Sequence, residues 1–159
     1  MNSNRKTYYY KKQLKGKGRF GGTELELVKI KENSEIIDKC QWSDFKNPNS
    51  SFKPTPLLKS YKIYILKLLD FIILNHNSLQ SVKLILHDIK ILIVDTTPSH
   101  LMAAAIIGSF DLLGKPLNND EIKIIDTFII NNENVDYPNF EILVIKLFNN
   151  NTLPQHHQL

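Results

Sequence analysis

The chain has 159 residues, a formal charge of +4 with neutral histidines, and 42% hydrophobic residues, which suits one globular domain with a core plus tails. Its single cysteine, Cys40, excludes an internal disulfide, and no charged, apolar and small-residue leader opens it, so a reducing setting, cytosol or nucleus, is expected. The most apolar stretches, 61–74 and 101–113, are interrupted by Lys67, Asp70 and Asp111 and fall short of the ~20 residues that cross a bilayer, which argues against a membrane span.

Residues 1–22 carry seven basic side chains (Arg5, Lys6, Lys11, Lys12, Lys15, Lys17 and Arg19) and no acid, whereas the remainder has 13 basic and 16 acidic residues. Polar, glycine-punctuated and without an apolar period, this segment reads as a disordered basic tail. Its cations interleave with Tyr8, Tyr9, Tyr10 and Phe20, a mixture in which cations neutralise phosphates while rings stack on unpaired bases. Gly16-Lys17-Gly18-Arg19-Phe20-Gly21 matches the G-x-G-x-x-G spacing of dinucleotide loops, but with no strand before it and no helix after it, it belongs with the tail.

Residues 23–56 form an N-terminal extension. Leu25, Leu27, Val28 and Ile30 alternate and then slip by one, predicting a short bulged strand; Ser34 then caps a helical turn carrying Ile36, Ile37 and Cys40. The stretch 46–56, KNPNSSFKPTP, is a connector.

The body is expected over 57–150. The run 61–74 has apolar positions on both faces, as a long bent strand serving two sides of a barrel would. Val82, Leu84 and Leu86, then Ile89, Ile91 and Ile93, predict a hairpin with its corner at His87-Asp88. Leu101–Ala105 predicts one helical turn, 105–113 a fourth strand curved at Gly108, and 122–130 a fifth. After an Asp136 N-cap and Pro138, Phe140, Leu143, Val144, Leu147 and Phe148 recur at helical spacing, which predicts a C-terminal helix before a polar tail at 151–159. The order fits a mainly β, single five-stranded OB-fold barrel with a C-terminal α-helix; a β-sandwich fragment and an SH3-like barrel are the alternatives.

No catalytic group is found. His76, His87, His100, His156, His157 and Cys40 lack the paired spacing of a zinc site. Ser99-His100 after Asp95 has the residue types of a hydrolase triad without a nucleophile elbow, and adjacent strand residues point apart. The chain is therefore expected to be no enzyme, with no cofactor, no metal and no small-molecule substrate. The C-terminal helix carries more: Ile142 and Ile145 project away from the Phe140, Leu143, Val144, Leu147 and Phe148 face, so one face covers the barrel and the other is left for a partner, the alternative being that residues 46–60 fold over it.

The segments YKIYILKLLDFIIL, SVKLILHDIKILIVD, AAAIIGSFDLLG and DYPNFEILVIKLF, in that order, resemble the small OB-fold proteins of the replication protein A and CST telomere-capping families, most closely the smallest-subunit family of CST, which has telomerase-associated counterparts. The resemblance implies a non-catalytic structural subunit of a telomere or single-stranded DNA-binding complex in the nucleus, on telomeric chromatin. It also implies pairing with a larger OB-fold subunit of a CST-like or telomerase complex through Phe140, Ile142, Leu143, Val144, Ile145, Leu147 and Phe148. No aromatic residue lies between Phe71 and Phe110, so the central strands of such a barrel lack the rings that stack bases. Single-stranded DNA is then met mainly through the complex, with weak contacts from Arg5, Lys6, Tyr8, Tyr9, Tyr10, Lys11, Lys12, Lys15, Lys17, Arg19, Lys83 and Lys90. An autonomous single-strand binder and an accessory interaction domain of an enzyme complex unrelated to nucleic acid are the other two expectations.

Overall fold

The computed structural model describes residues 3–48, 52–76 and 79–152, with side chains over 4–48, 52–76 and 79–150. In chain order the elements are β1 (Ser3–Leu14), β2 (Lys17–Lys29), β3 (Glu35–Asp44), α1 (Pro56–Asn75), β4 (Val82–Ile91), α2 (Pro98–Leu112), α3 (Asn119–Asn131) and α4 (Phe140–Thr152). The strands form one open sheet of order β1-β2-β4-β3, antiparallel except for the β3–β4 pair that α1 connects. This is an α+β layered fold, not a five-stranded barrel.

Residues 1–22 are not a disordered tail. From Ser3 on they form β1 and the first half of β2, paired from Ser3↔Val28 to Leu14↔Lys17. Every second side chain of β1 points inward: Tyr8 and Tyr10 are buried between the sheet and the helices, and their hydroxyls donate to Asp111 of α2 and Asp126 of α3, each at 2.7 Å. The 23–56 extension is not separate either: it completes β2 and supplies β3, where Ser34 accepts from the backbone N–H of Val82 and begins no helical turn. The 46–56 connector is irregular over 46–48 and 52–55, and its last residue, Pro56, already belongs to α1.

The segment expected to be the first barrel strand is helix α1. Thr55 accepts from the backbone N–H of Leu58, Pro56 opens the first turn, and Ile65, Leu68, Leu69, Ile72 and Ile73 form a buried stripe, a cap, start signal and period that belong to a helix. The expected hairpin is the single strand β4: inward-facing Val82, Leu84 and Leu86 change parity to Ile89 and Ile91 across a register shift at Glu24/Leu25. A bulge absorbs the extra residue where a turn had been expected.

The expected fourth strand lies in α2, almost wholly buried, and a helix apolar all round has no period to show. Gly108 gives close approach, not strand curvature: a Cβ there would stand 2.6 Å from the Tyr8 ring, and one at Gly21 would stand 2.6 Å from the His100 carbonyl carbon. The expected fifth strand is α3, started by a reciprocal cap in which Asn118 accepts from the N–H of Glu121 and Glu121 accepts from the N–H of Asn118. In α4 the N-terminal acceptor is Asn139, not Asp136.

α1 lies on β3 and β4, and α2 on β1 and β2; α3 and α4 pack behind them. Phe110 stacks on Phe148 at 4.6 Å, and Phe128 meets Phe140 edge-on at 4.8 Å. The helices thus cover one face of the sheet, and the residues alternating with the core positions form the other.

Candidate nucleic-acid interface

The β1–β2 hairpin dominates the uncovered face. Its two-residue turn has Lys15 at φ 52° and Gly16 at φ 71°, the left-handed pair of a type I′ turn whose twist matches the strands it joins. Arg5, Thr7, Tyr9 and Lys11 of β1 alternate away from the buried Tyr8 and Tyr10. Across from them stand Phe20, Gly22, Glu24 and Glu26 of β2, then Asp88 and Lys90 of β4 and Ser43 of β3.

Toward the turn this face carries three rings. Phe20 centres 5.7 Å from Tyr9 and 4.7 Å from Phe45, the residue after β3, and Tyr9 and Phe45 are 5.7 Å apart edge-on. Phe20 is buried beneath the other two, which stay 42% (Tyr9) and 40% (Phe45) exposed. Gly22 leaves room for Tyr9: a Cβ there would stand 3.0 Å from the ring and from Lys90 Cβ. Lys11 Nζ lies 5.6 Å over the Phe45 ring, a cation–π geometry. Beside the cluster, Thr96 donates to the Phe20 carbonyl, and the turn after β4 exposes Ile93 and Val94.

The other charges on this face are largely paired. Arg5 binds Glu24, His87 shares a 2.7 Å hydrogen bond with Glu26, Lys83 faces Glu35, and Lys90 donates at 2.9 Å to Asp88, which also accepts from Ser43. Burial works against the Lys90 ammonium, yet its bond to Asp88 more than offsets this and holds its pKa above the ordinary value. On the side covered by the helices, Lys12 reaches Asp126, and buried Arg19 pairs with Glu133. Of the residues expected to touch nucleic acid, Tyr8, Tyr10 and Arg19 are therefore structural, and Arg5, Lys12, Lys83 and Lys90 have acidic partners. Lys6 lies over the Tyr8 ring. Lys11, Lys15 and Lys17 have no ion pair among the described residues.

Phe45 is the contributor that sequence reasoning missed, and Phe20, expected as a stacking ring of a tail, is instead buried beneath the other two. The available signal was the run Tyr8-Tyr9-Tyr10 before a Lys-Gly turn, which in a strand sends one tyrosine outward and two inward.

Ser99, His100 and Asp95 do not assemble a catalytic group. His100 is buried, its Nδ1 accepts the N–H of Thr97 at 3.2 Å, and burial pushes its pKa down to about 4. Burial likewise pushes the Cys40 thiol up to about 12, far from the thiolate a nucleophile needs. Among the described residues no three His, Cys, Asp or Glu side chains converge as metal ligands would; His156 and His157 lie outside them. No described helix is long and apolar enough to cross a membrane.

No protein-family model matches the chain, and no curated protein matches it. Among solved structures it is similar to a crystal structure of a protein from Thermus thermophilus, with 13% identity and a TM-score of 0.46. That match covers 84% of this chain and 21% of the other, so the chain spans about a fifth of that protein's length.

Of the α4 residues expected to meet a partner, Phe140, Leu143, Val144, Leu147 and Phe148 are buried in the chain's own core. Ile142 and Ile145 remain 62% and 47% exposed.

Proposed function

We propose that the chain is a non-catalytic module that binds single-stranded nucleic acid on the hairpin end of its uncovered sheet face. The observation that carries this is the Tyr9–Phe20–Phe45 cluster, with two exposed rings on an open sheet and Lys11 above one of them. A four-stranded sheet with exposed rings suits unpaired bases, because every base has a face to stack and each stacked base contributes ~1–3 kcal/mol. Lys11 beside the cluster and Lys15 in the turn are available to phosphates, whereas the paired charges on the rest of the face keep the attraction local.

The telomere-complex expectation keeps less support. The strand order behind its family resemblance is not the order the chain adopts, and what remains is the exposure of Ile142 and Ile145.

Fluorescence anisotropy with labelled oligouridylate and oligothymidylate of roughly 12 nucleotides, a length within the usual site range, tests the proposal. Tyr9→Ala and Phe45→Ala should each weaken binding by ~1–3 kcal/mol. Replacing Lys11 and Lys15 together with Ser should flatten the slope of log affinity against log salt by roughly 1.4, at ~0.7 per phosphate contact on a single strand. Wild-type binding no tighter than that of a Tyr9→Ala/Phe45→Ala variant with unchanged thermal unfolding would overturn it.

A further inference from the structure

α3 and α4 leave between them a groove of about 410 Å³ on the side of the helical layer away from the sheet. Ile124, Phe128, Ile142 and Leu143 form its apolar walls, and Lys123 and Lys146 stand on either side of it. Thr127, Asn131 and Asn132 are the other lining groups, so no carboxylate lines the groove. Neither lysine has an ion pair among the described residues. Ile145 extends the exposed apolar surface along α4.

We infer that this groove docks an acidic amphipathic helix of another protein, with an apolar stripe on Ile142 and Phe128 and flanking carboxylates on Lys123 and Lys146. Charge and shape select this occupant. A cleft between two helices accepts the i, i+3, i+4, i+7 stripe of a third, and lysines beside an apolar floor favour a partner whose stripe is edged by Asp and Glu. A second copy of this chain would bring its own Lys123 and Lys146 against the same pair. The segment 153–159, LPQHHQL, carries no acidic side chain. Nucleic acid would match the lysines but find no open ring, because Phe128 is partly buried and packed edge-on against Phe140. The groove belongs to the helical layer and shares no residue with the sheet interface.

The test uses the full chain and two labelled synthetic peptides with the same leucine stripe, one with glutamates and the other with lysines between the leucines. The glutamate peptide should bind roughly tenfold tighter or better. Ile142→Asp should abolish binding, and Lys123→Glu with Lys146→Glu should reverse the preference in favour of the lysine peptide, while Tyr9→Ala leaves both results unchanged. All three positions on the groove are at or near the surface, and the charge reversal decides the matter should Ile142→Asp fail to fold. Equal binding of the two peptides, or a preference that survives the reversal, overturns the proposal. So do displacement of the peptide by single-stranded RNA, a dimer that Ile142→Asp dissociates, and a gain in peptide affinity on deleting 153–159, which would assign the groove to nucleic acid, to a second copy and to the chain's own tail respectively.

Discussion

His100 is held neutral by its surroundings, and that makes stability depend on pH in a definite direction. The ring is buried beside Tyr10, at 6.0 Å and nearly parallel, and its Nδ1 takes the Thr97 N–H that opens α2. Protonating that nitrogen removes the acceptor. Burial is the largest cause of the shift, with Arg19 and Lys17 acting in the same direction and Asp95 opposing them. Because the folded pKa, about 4, lies below the ordinary 6.5, the unfolded chain takes up the proton first as pH falls. The neutral ring's contribution is complete above 6.5 and is lost progressively between 6.5 and about 4, on the order of 3 kcal/mol in all. Urea unfolding of wild type and His100→Gln at stepped pH should show this extra loss in wild type alone; parallel curves would contradict it.

At the scale of elements, the sequence is most legible where a period is clean and least where apolar residues are continuous or sparse. The buried stripe of α4 and the outward Ile142 and Ile145 can be read from spacing alone, and so can the alternation on either side of His87-Asp88. In α1, Ile and Leu are so dense that a period of two and one of 3.6 both fit, and the Thr55-Pro56 start signal is what separates them. The apolar run of α2 has no polar side to betray its period. Asn118 and Glu121 announced α3 by their capping spacing, which the barrel pattern obscured. β1 hid for the opposite reason: as an edge strand with lysines and arginine on its exposed positions, it reads as a solvated tail, and such charges are what protect an edge from unwanted pairing. The aromatic platform depends on that hidden strand, on Phe20 and on a ring from the 46–56 connector's border, so it becomes visible only once the sheet is assembled. Deleting residues 1–22 removes β1, half of β2 and the buried rings of Tyr8, Tyr10 and Phe20. Each buried ring alone is worth ~3–5 kcal/mol against a total stability of roughly 5–15, so the deletion should abolish the cooperative thermal transition seen by circular dichroism. A truncated chain that melts like wild type would contradict the fold.

The whole molecule separates two surfaces. The uncovered sheet face presents rings and unpaired lysines at the hairpin end, and the groove between α3 and α4 lies behind the helices that cover the opposite face, so an occupant of one leaves the other open. Ultraviolet cross-linking of the full chain to single-stranded oligouridylate, followed by peptide mapping, tests the sheet-face interface most directly. Cross-links should concentrate at Tyr9 and Phe45 and be competed away by unlabelled strand. Cross-links confined to the α3–α4 side, or a yield at Tyr9 and Phe45 no higher than at the exposed Val94, would contradict the assignment.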